Sequence, residues 1–114
     1  MTDCLFCKIA NKEIPAEIIF ESDDIVAFRD INPQAPHHLL IVPKKHIPTL
    51  NDLNSENVPL VSEIILTAAR LARKLEIDET GYRAVFNCNA DGGQLIYHIH
   101  LHLLGGKDLG QPCQ

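Results

Sequence analysis

The stretch His98-Ile99-His100-Leu101-His102-Leu103-Leu104 constrains the fold more than any other part of the chain. Polar and aliphatic residues alternate there with a period of two, which is the repeat of a half-buried strand and not of a helix. In a strand over 97–104, successive side chains point to opposite faces and residues two apart lie about 6.6 Å from each other. His98, His100 and His102 are therefore expected on one face, with Ile99, Leu101 and Leu103 on the other. Imidazole is costly to align in this way for packing alone, because each ring nitrogen needs a partner once buried. A hydrophilic sheet face that uses histidine by chance and a metal-binding stripe are the plainer readings. Strict alternation with bulky aliphatics favours a functional row.

The remaining elements follow from period and punctuation. Residues 4–12 suit a short helix with Leu5, Phe6 and Ile9 facing inward, ended by Pro15. Strands are expected at 17–21 and 25–30, joined by the polar Ser22-Asp23-Asp24 turn. A third runs over 38–42, after the Asn32-Pro33-Gln34-Ala35-Pro36 loop and stopped by Pro43. Between 55 and 75, Val58, Val61, Ile64, Ile65, Ala68, Leu71, Ala72 and Leu75 recur at helical spacing. Asn54 or Ser55 is placed to cap that helix, and Arg70, Arg73 and Lys74 suit the negative end of its dipole. A fourth strand is expected at 82–87, and the Cys88–Gln94 loop is rich in turn residues. Five strands, one long helix and one short N-terminal helix, with consecutive strands close enough to pair antiparallel, make an α+β domain.

At 114 residues the chain is long enough for one domain, taken as 1–114, and too short for two. No apolar run is long enough to span a bilayer. Met1-Thr2-Asp3-Cys4 carries no basic, apolar leader, so a cytoplasmic setting is expected, in which Cys4, Cys7, Cys88 and Cys113 need not pair. A formal net charge of −5 argues against nucleic acid or an anionic membrane surface as a partner. It leaves room for a small anion, because backbone N–H groups and histidines can hold phosphate inside an acidic protein.

The alternating histidines resemble the signature of the histidine triad family. The likeness extends over nearly the whole chain. It includes Glu13-Ile14-Pro15-Ala16, Asp30-Ile31-Asn32-Pro33-Gln34-Ala35-Pro36, His38, Ile41-Val42-Pro43-Lys44-Lys45-His46-Ile47 and Asp91-Gly92-Gly93-Gln94. Together these are similar to the Hint branch, whose members hydrolyse adenosine phosphoramidates such as adenylyl-lysine. The resemblance implies a five-stranded antiparallel sheet and a twofold homodimer built through the long helix and the adjoining strand. It implies a purine mononucleotide, or an amidate of one, as ligand.

Residue by residue, the resemblance makes His100 the nucleophile at the α-phosphate, transiently nucleotidylated and then released by water. A neutral imidazole suits both attack and departure near pH 7. His102 would bind phosphate oxygens as charge develops, and His38 and His98 complete the catalytic histidines. Asp30 and Ile31 match the ribose-holding positions. Asn87, Gly93 and Gln94 match positions near the phosphate. Read without the family, Asp30 merely ends a strand, Asn87 is a turn residue, and Gly93-Gln94 is a plain turn. Leu95, in the same nucleotide-binding set, departs from the pattern, which has Ser or Thr there, and this puts leaving-group protonation in question. The tail Gln111-Pro112-Cys113-Gln114 lacks the tryptophan often found near this end.

Zinc-bearing relatives imply a further set, Cys4, Cys7, His46 and His98, holding one structural Zn²⁺ with no open position for water. Read alone, Cys4 and Cys7 are equally thiols on the inner face of a short helix. No organic cofactor is called for. Three functions are therefore carried forward: a nucleoside phosphoramidate hydrolase, a dinucleoside polyphosphate hydrolase, and a nucleotide- or zinc-binding regulatory module with weak catalysis. Leu95 is the best support for the last, and the intact histidine set the best argument against it.

Overall fold

The computed structural model describes residues 4–111; Met1–Asp3 and Pro112–Gln114, and with them the expectations for the N-terminus and for Cys113, lie outside the described residues. Five strands form one sheet: β1 (Ile18–Glu21), β2 (Ile25–Arg29), β3 (His37–Pro43), β4 (Tyr82–Phe86) and β5 (Leu101–Gly105). Helix α1 (Leu5–Ala10) precedes them, and α2 (Val58–Lys74) links β3 to β4. The spatial order is β1-β2-β3-β5-β4, antiparallel throughout. Three of the pairs join consecutive strands, as expected. The fourth does not: β5 inserts between β3 and β4, so that Leu39 faces Leu103 and Leu40 faces His102.

Alternation along the strands gives the sheet two separate cores. Ile25, Ala27, Leu39, Ile41, Leu101 and Leu103 point to α2 and pack on Ile64, Ala68 and Leu71. Val26, Phe28, Leu40 and Val42 point the other way and pack on Phe6, Ile9 and Ala10 of α1. Leu103 and Ile41 are fully buried, and each such side chain contributes roughly 1.5–3 kcal/mol relative to exposure.

Several boundaries differ from the sequence reading, for identifiable reasons. The N-cap of α2 is Asn57, with no side-chain bond to the helix. Its amide is already engaged, accepting from the Asn54 N–H and donating to the Asp52 carbonyl. Asn54 instead caps the preceding turn, accepting from the N–H groups of Glu56 and Asn57. Arg73 and Lys74 do occupy the last turn of α2, whereas Arg70 lies before it. On α1, Phe6 and Ile9 are buried but Leu5 is 42% exposed. The strand expected over 97–104 begins only at Leu101. Before it the Ile99 N–H turns away from the ladder to the Ile47 carbonyl, 2.6 Å away. His98 is thereby directed to a different destination from His100 and His102.

Candidate active site

The β3–β5 register puts His38 and His102 diagonally across one ladder on the face away from α2. Their rings meet with His38 Nε2 3.0 Å from His102 Nδ1. His100 follows on the same side, its ring centroid 4.9 Å from that of His102. These three line a groove of about 770 Å³, together with Asp30, Asn87, Gly93 and Leu95. Its other wall is apolar and comes from α1 and the following turn, including Phe6, Ile9, Ile14 and Pro15. A second hollow of about 780 Å³ opens beside the start of β4, lined by Glu76, Tyr82, Arg83 and Lys107, and none of these three histidines reaches it.

Fixed backbone groups assign each ring its tautomer. The Gln34 N–H points at His38 Nδ1 over 3.1 Å, so the neutral ring carries its proton on Nε2. That N–H donates to His102 Nδ1, which leaves His102 with its proton on Nε2. His100 Nδ1–H donates to the His98 carbonyl over 2.8 Å, so His100 Nε2 keeps a lone pair. Two neighbouring imidazoles thus differ in character, one nucleophilic and one a hydrogen-bond donor. The same chain argues against a metal at Asp30, His38 and His102, although their donor atoms are close enough to hold one. A metal on His38 Nε2 would force a proton onto Nδ1, against the Gln34 N–H.

Burial keeps the row uncharged. It lowers His38 and His100 below the usual imidazole value, against the opposing pull of Asp30 on both and of the His98 carbonyl on His100. Burial, reinforced by His100 and His38, pushes His102 down to about 4. Asp30 stands at the rim. One of its oxygens accepts the Asn32 N–H at 2.8 Å, and the other lies 3.5 Å from His38 Nε2.

The remaining nominated residues separate into two groups. Asn87 donates to the Gly92 carbonyl at 2.8 Å and so ties the loop to β4. Gly93 adopts φ +81°, a left-handed conformation that glycine takes readily. Ile31 and Leu95 stand on the groove mouth, 89% and 91% exposed. Gln94 is different: its side chain is buried, accepts the Asn89 N–H, and donates to the Pro48 and Ile96 carbonyls. That side chain holds the loop together and does not face the groove.

His98 also turns away from the groove. It is fully buried, and its Nδ1 lies 3.2 Å from Cys4 Sγ and 3.4 Å from Cys7 Sγ. His46 Nδ1 lies 3.2 Å from Cys7 Sγ and 3.3 Å from His98 Nδ1. The far nitrogen of His98 donates to the Pro43 carbonyl at 2.7 Å, which orients the ring. A regular tetrahedron with metal bonds of about 2.0–2.3 Å has edges of roughly 3.3–3.8 Å. The donor set and its spacing fit a tetrahedral metal site, so these four residues can hold a metal ion.

Three backbone groups and one side-chain role escaped the sequence reading. The Gln34 N–H and the His98 and Pro43 carbonyls are backbone groups with no residue-type signal. Phe6 was legible only as an inward-facing core residue, yet its ring packs edge-on against His100 at 5.0 Å.

An antiparallel sheet carrying a histidine row beside a groove of this size is the architecture of the histidine triad proteins, and this chain belongs to that family. The family model described as "Scavenger mRNA decapping enzyme C-term binding" matches residues 3–112. The chain is 48% identical over 108 residues to the purine nucleoside phosphoramidase of Escherichia coli K12, covering 95% of this chain and 91% of that protein. Among solved structures it resembles a HIT family hydrolase from Legionella pneumophila Philadelphia 1, with TM-score 0.94, 57% identity, and coverage of 96% and 98%. A histidine triad protein from Clostridium difficile is similar at TM-score 0.94 and 45% identity, with coverage of 97% and 96%.

The titration of the row is directly measurable. Ring-nitrogen NMR should give His102 a midpoint near 4 and place His38 and His100 below 6.5. Because the folded values lie below the unfolded one, the unfolded chain takes up protons first as pH falls. The row's contribution to stability is complete above about pH 6.5 and declines toward pH 4. A His102 midpoint at or above 6.5 would contradict the neutral row.

Proposed function

We propose that the protein is a purine nucleotide hydrolase that cleaves the P–N bond of adenosine phosphoramidates through a nucleotidylated His100. The observation that carries this reading is the contact chain Gln34–His38–His102 beside the His98–His100 contact, from which opposed tautomers follow for two rings lining one groove: a lone pair on His100 Nε2 and a proton on His102 Nε2. In the first step His100 Nε2 attacks the α-phosphorus and the P–N bond breaks. The amine departs with a proton taken from solvent water, and the nucleotide is left on the imidazole. In the second, water adds to the same phosphorus and gives up a proton to solvent, the bond to His100 breaks, and the mononucleotide is released with the ring restored. His102 Nε2–H stabilises the phosphoryl oxygens as charge develops. Asp30 and Ile31 receive the ribose, Asn87 and Gly93 the phosphate side, and the apolar wall the base.

Zn²⁺ is the metal we assign to Cys4, Cys7, His46 and His98. With all four positions filled by protein it supplies folding energy and no chemistry. No helix among the described residues is long and apolar enough to cross a membrane. A single domain working in the cytoplasm is part of the same proposal. A homodimer is supported by exposed Ile65 and Leu66 on α2 and by Tyr82 on the open edge strand β4.

Removing the nucleophile tests the central claim. His100→Ala should abolish turnover of adenosine phosphoramidate while leaving nucleotide affinity within about tenfold, or roughly 1.4 kcal/mol. Turnover near wild type in that variant would remove His100 from the role. Loss of activity in both proteins would leave the regulatory module as the better reading.

Leu95 is a second point of attack. Its exposure lets it be replaced with no loss of core packing. A hydroxyl there could orient the proton that the leaving amine needs, and positioned proton transfer is typically worth about 10²–10⁴ in rate. Leu95→Ser should raise kcat on alkyl phosphoramidates about tenfold, with water supplying the rest already. Aryl esters of the nucleotide, which leave without a proton, should respond much less. Unchanged or slower amidate turnover would show that the proton comes from elsewhere.

Native mass spectrometry reads the metal and the assembly together. The expected species is a dimer carrying two zinc ions, and chelation should lower its melting temperature. Protein prepared without chelator that flies as a metal-free monomer would refute both assignments.

A further inference from the structure

The metal tetrad and the groove share one short element. Cys4 caps α1, Cys7 lies within it, and Phe6 stands between them. The Phe6 ring lies 5.0 Å from that of His100, 6.1 Å from that of His98 and 5.4 Å from that of Phe28, edge-on in each case. It is buried and forms part of the groove wall. A second connection runs through the main chain. His98 presents Nδ1 to the tetrad and its carbonyl to His100 Nδ1–H.

A helix of six residues has no stability of its own. Its position depends on apolar packing and on what its cysteine side chains hold. The hydrogen bond to His98 anchors one end of the His100 ring, but the ring can still swing about that anchor. Two rings pack edge-on against the His100 ring, Phe6 at 5.0 Å and His102 at 4.9 Å, and of these Phe6 is the one carried by the helix that bears the cysteines. Resting on the reading of His100 as nucleophile, we infer that Phe6 is a positioning residue for the reaction. Phe6 and the His98 carbonyl together transmit the state of the Cys4–Cys7–His46–His98 tetrad to the His100 ring.

Phe6 also belongs to the apolar wall assigned to the base, and the competing reading is that it does nothing more; the two readings differ in what they change. A wall residue alters nucleotide affinity. A positioning residue alters the attack step, where a 1 Å misplacement costs on the order of a hundredfold. Phe6→Leu fills much of the same space without the aromatic edge.

The experiment uses zinc-loaded protein and adenosine 5′-phosphoramidate, following nucleotidylation of His100 by intact mass in single turnover. AMP affinity is measured by calorimetry and the His100 Nδ1–H signal by ring-nitrogen NMR. Phe6→Leu should bind one zinc per chain, slow nucleotidylation at least about tenfold, keep the AMP Kd within about threefold, and broaden or shift the His100 signal. Wild-type protein stripped of zinc, at a temperature where circular dichroism shows it folded, should show the same change in that signal. Zinc chloride should restore it. An unaltered nucleotidylation rate with weakened AMP binding in Phe6→Leu would overturn the inference, as would an unaltered His100 signal in folded, zinc-free protein. If stripping unfolds the chain, the Phe6→Leu arm decides alone. If the wild type never becomes nucleotidylated, the hydrolase reading fails, and the NMR arm still reports whether Phe6 and the tetrad position the ring.

Discussion

The antiparallel ladder between β3 and β5 is the contact on which the rest of the molecule depends. It joins the β1-β2-β3 meander to the β4-β5 hairpin, two units that α2 separates in sequence. A two-stranded hairpin is marginal alone in water, so β4 and β5 owe their order to this seam. The same register decides the chemistry. With Leu40 opposite His102 and His38 opposite Leu104, two imidazoles separated by 64 residues come within hydrogen-bond reach. A slip of one residue would send His102 into the α2 core and bring Leu101 and Leu103 to the groove.

Given that seam, backbone groups do most of the work of differentiating the histidines. Four of the chain's six histidines, His38, His98, His100 and His102, run along the β3–β5 seam from one end of β3 to the other, yet each has a distinct neighbour that settles its role. His38 answers to the Gln34 N–H, His100 to the His98 carbonyl, His98 to the Pro43 carbonyl, and His102 to His38. Desolvation keeps the rings neutral, and neutrality lets one ring offer a lone pair while its neighbour offers a proton. Charged, all of them would be donors only.

Much of this was readable from residue order. The period-two run at the C-terminus and the helical spacing from Val58 to Leu75 located β5 and α2, because burial on defined faces is what those periods express. The grouping of Cys4, Cys7, His46 and His98 came from family resemblance, since no local pattern links residues so far apart. What stayed hidden depends on backbone geometry. The departure of His98 from the strand follows from one N–H bonding to Ile47 in place of the ladder. Gln94 reads as a phosphate-loop residue until its amide is seen closing on three backbone groups. The Asn57 cap could not be told from Asn54 or Ser55, since all three are residue types that start helices. The β3–β5 pairing breaks the rule that consecutive strands are neighbours, with α2 packed across the sheet between β3 and β4 in the chain.

The contact between Cys4 and His98 spans 94 residues of chain, and this has a consequence for biosynthesis. At roughly 5–20 residues per second, the ribosome makes that intervening stretch in about 5–20 seconds. During that time the segment bearing both cysteines has been made, and the segment that completes their cluster has not. The groove likewise takes one wall from α1 and its histidines from residues made much later. A nascent chain therefore cannot complete the groove, or gather its thiols into the tetrad, until residues 98–102 have been made. Interrupted synthesis would release fragments with neither property.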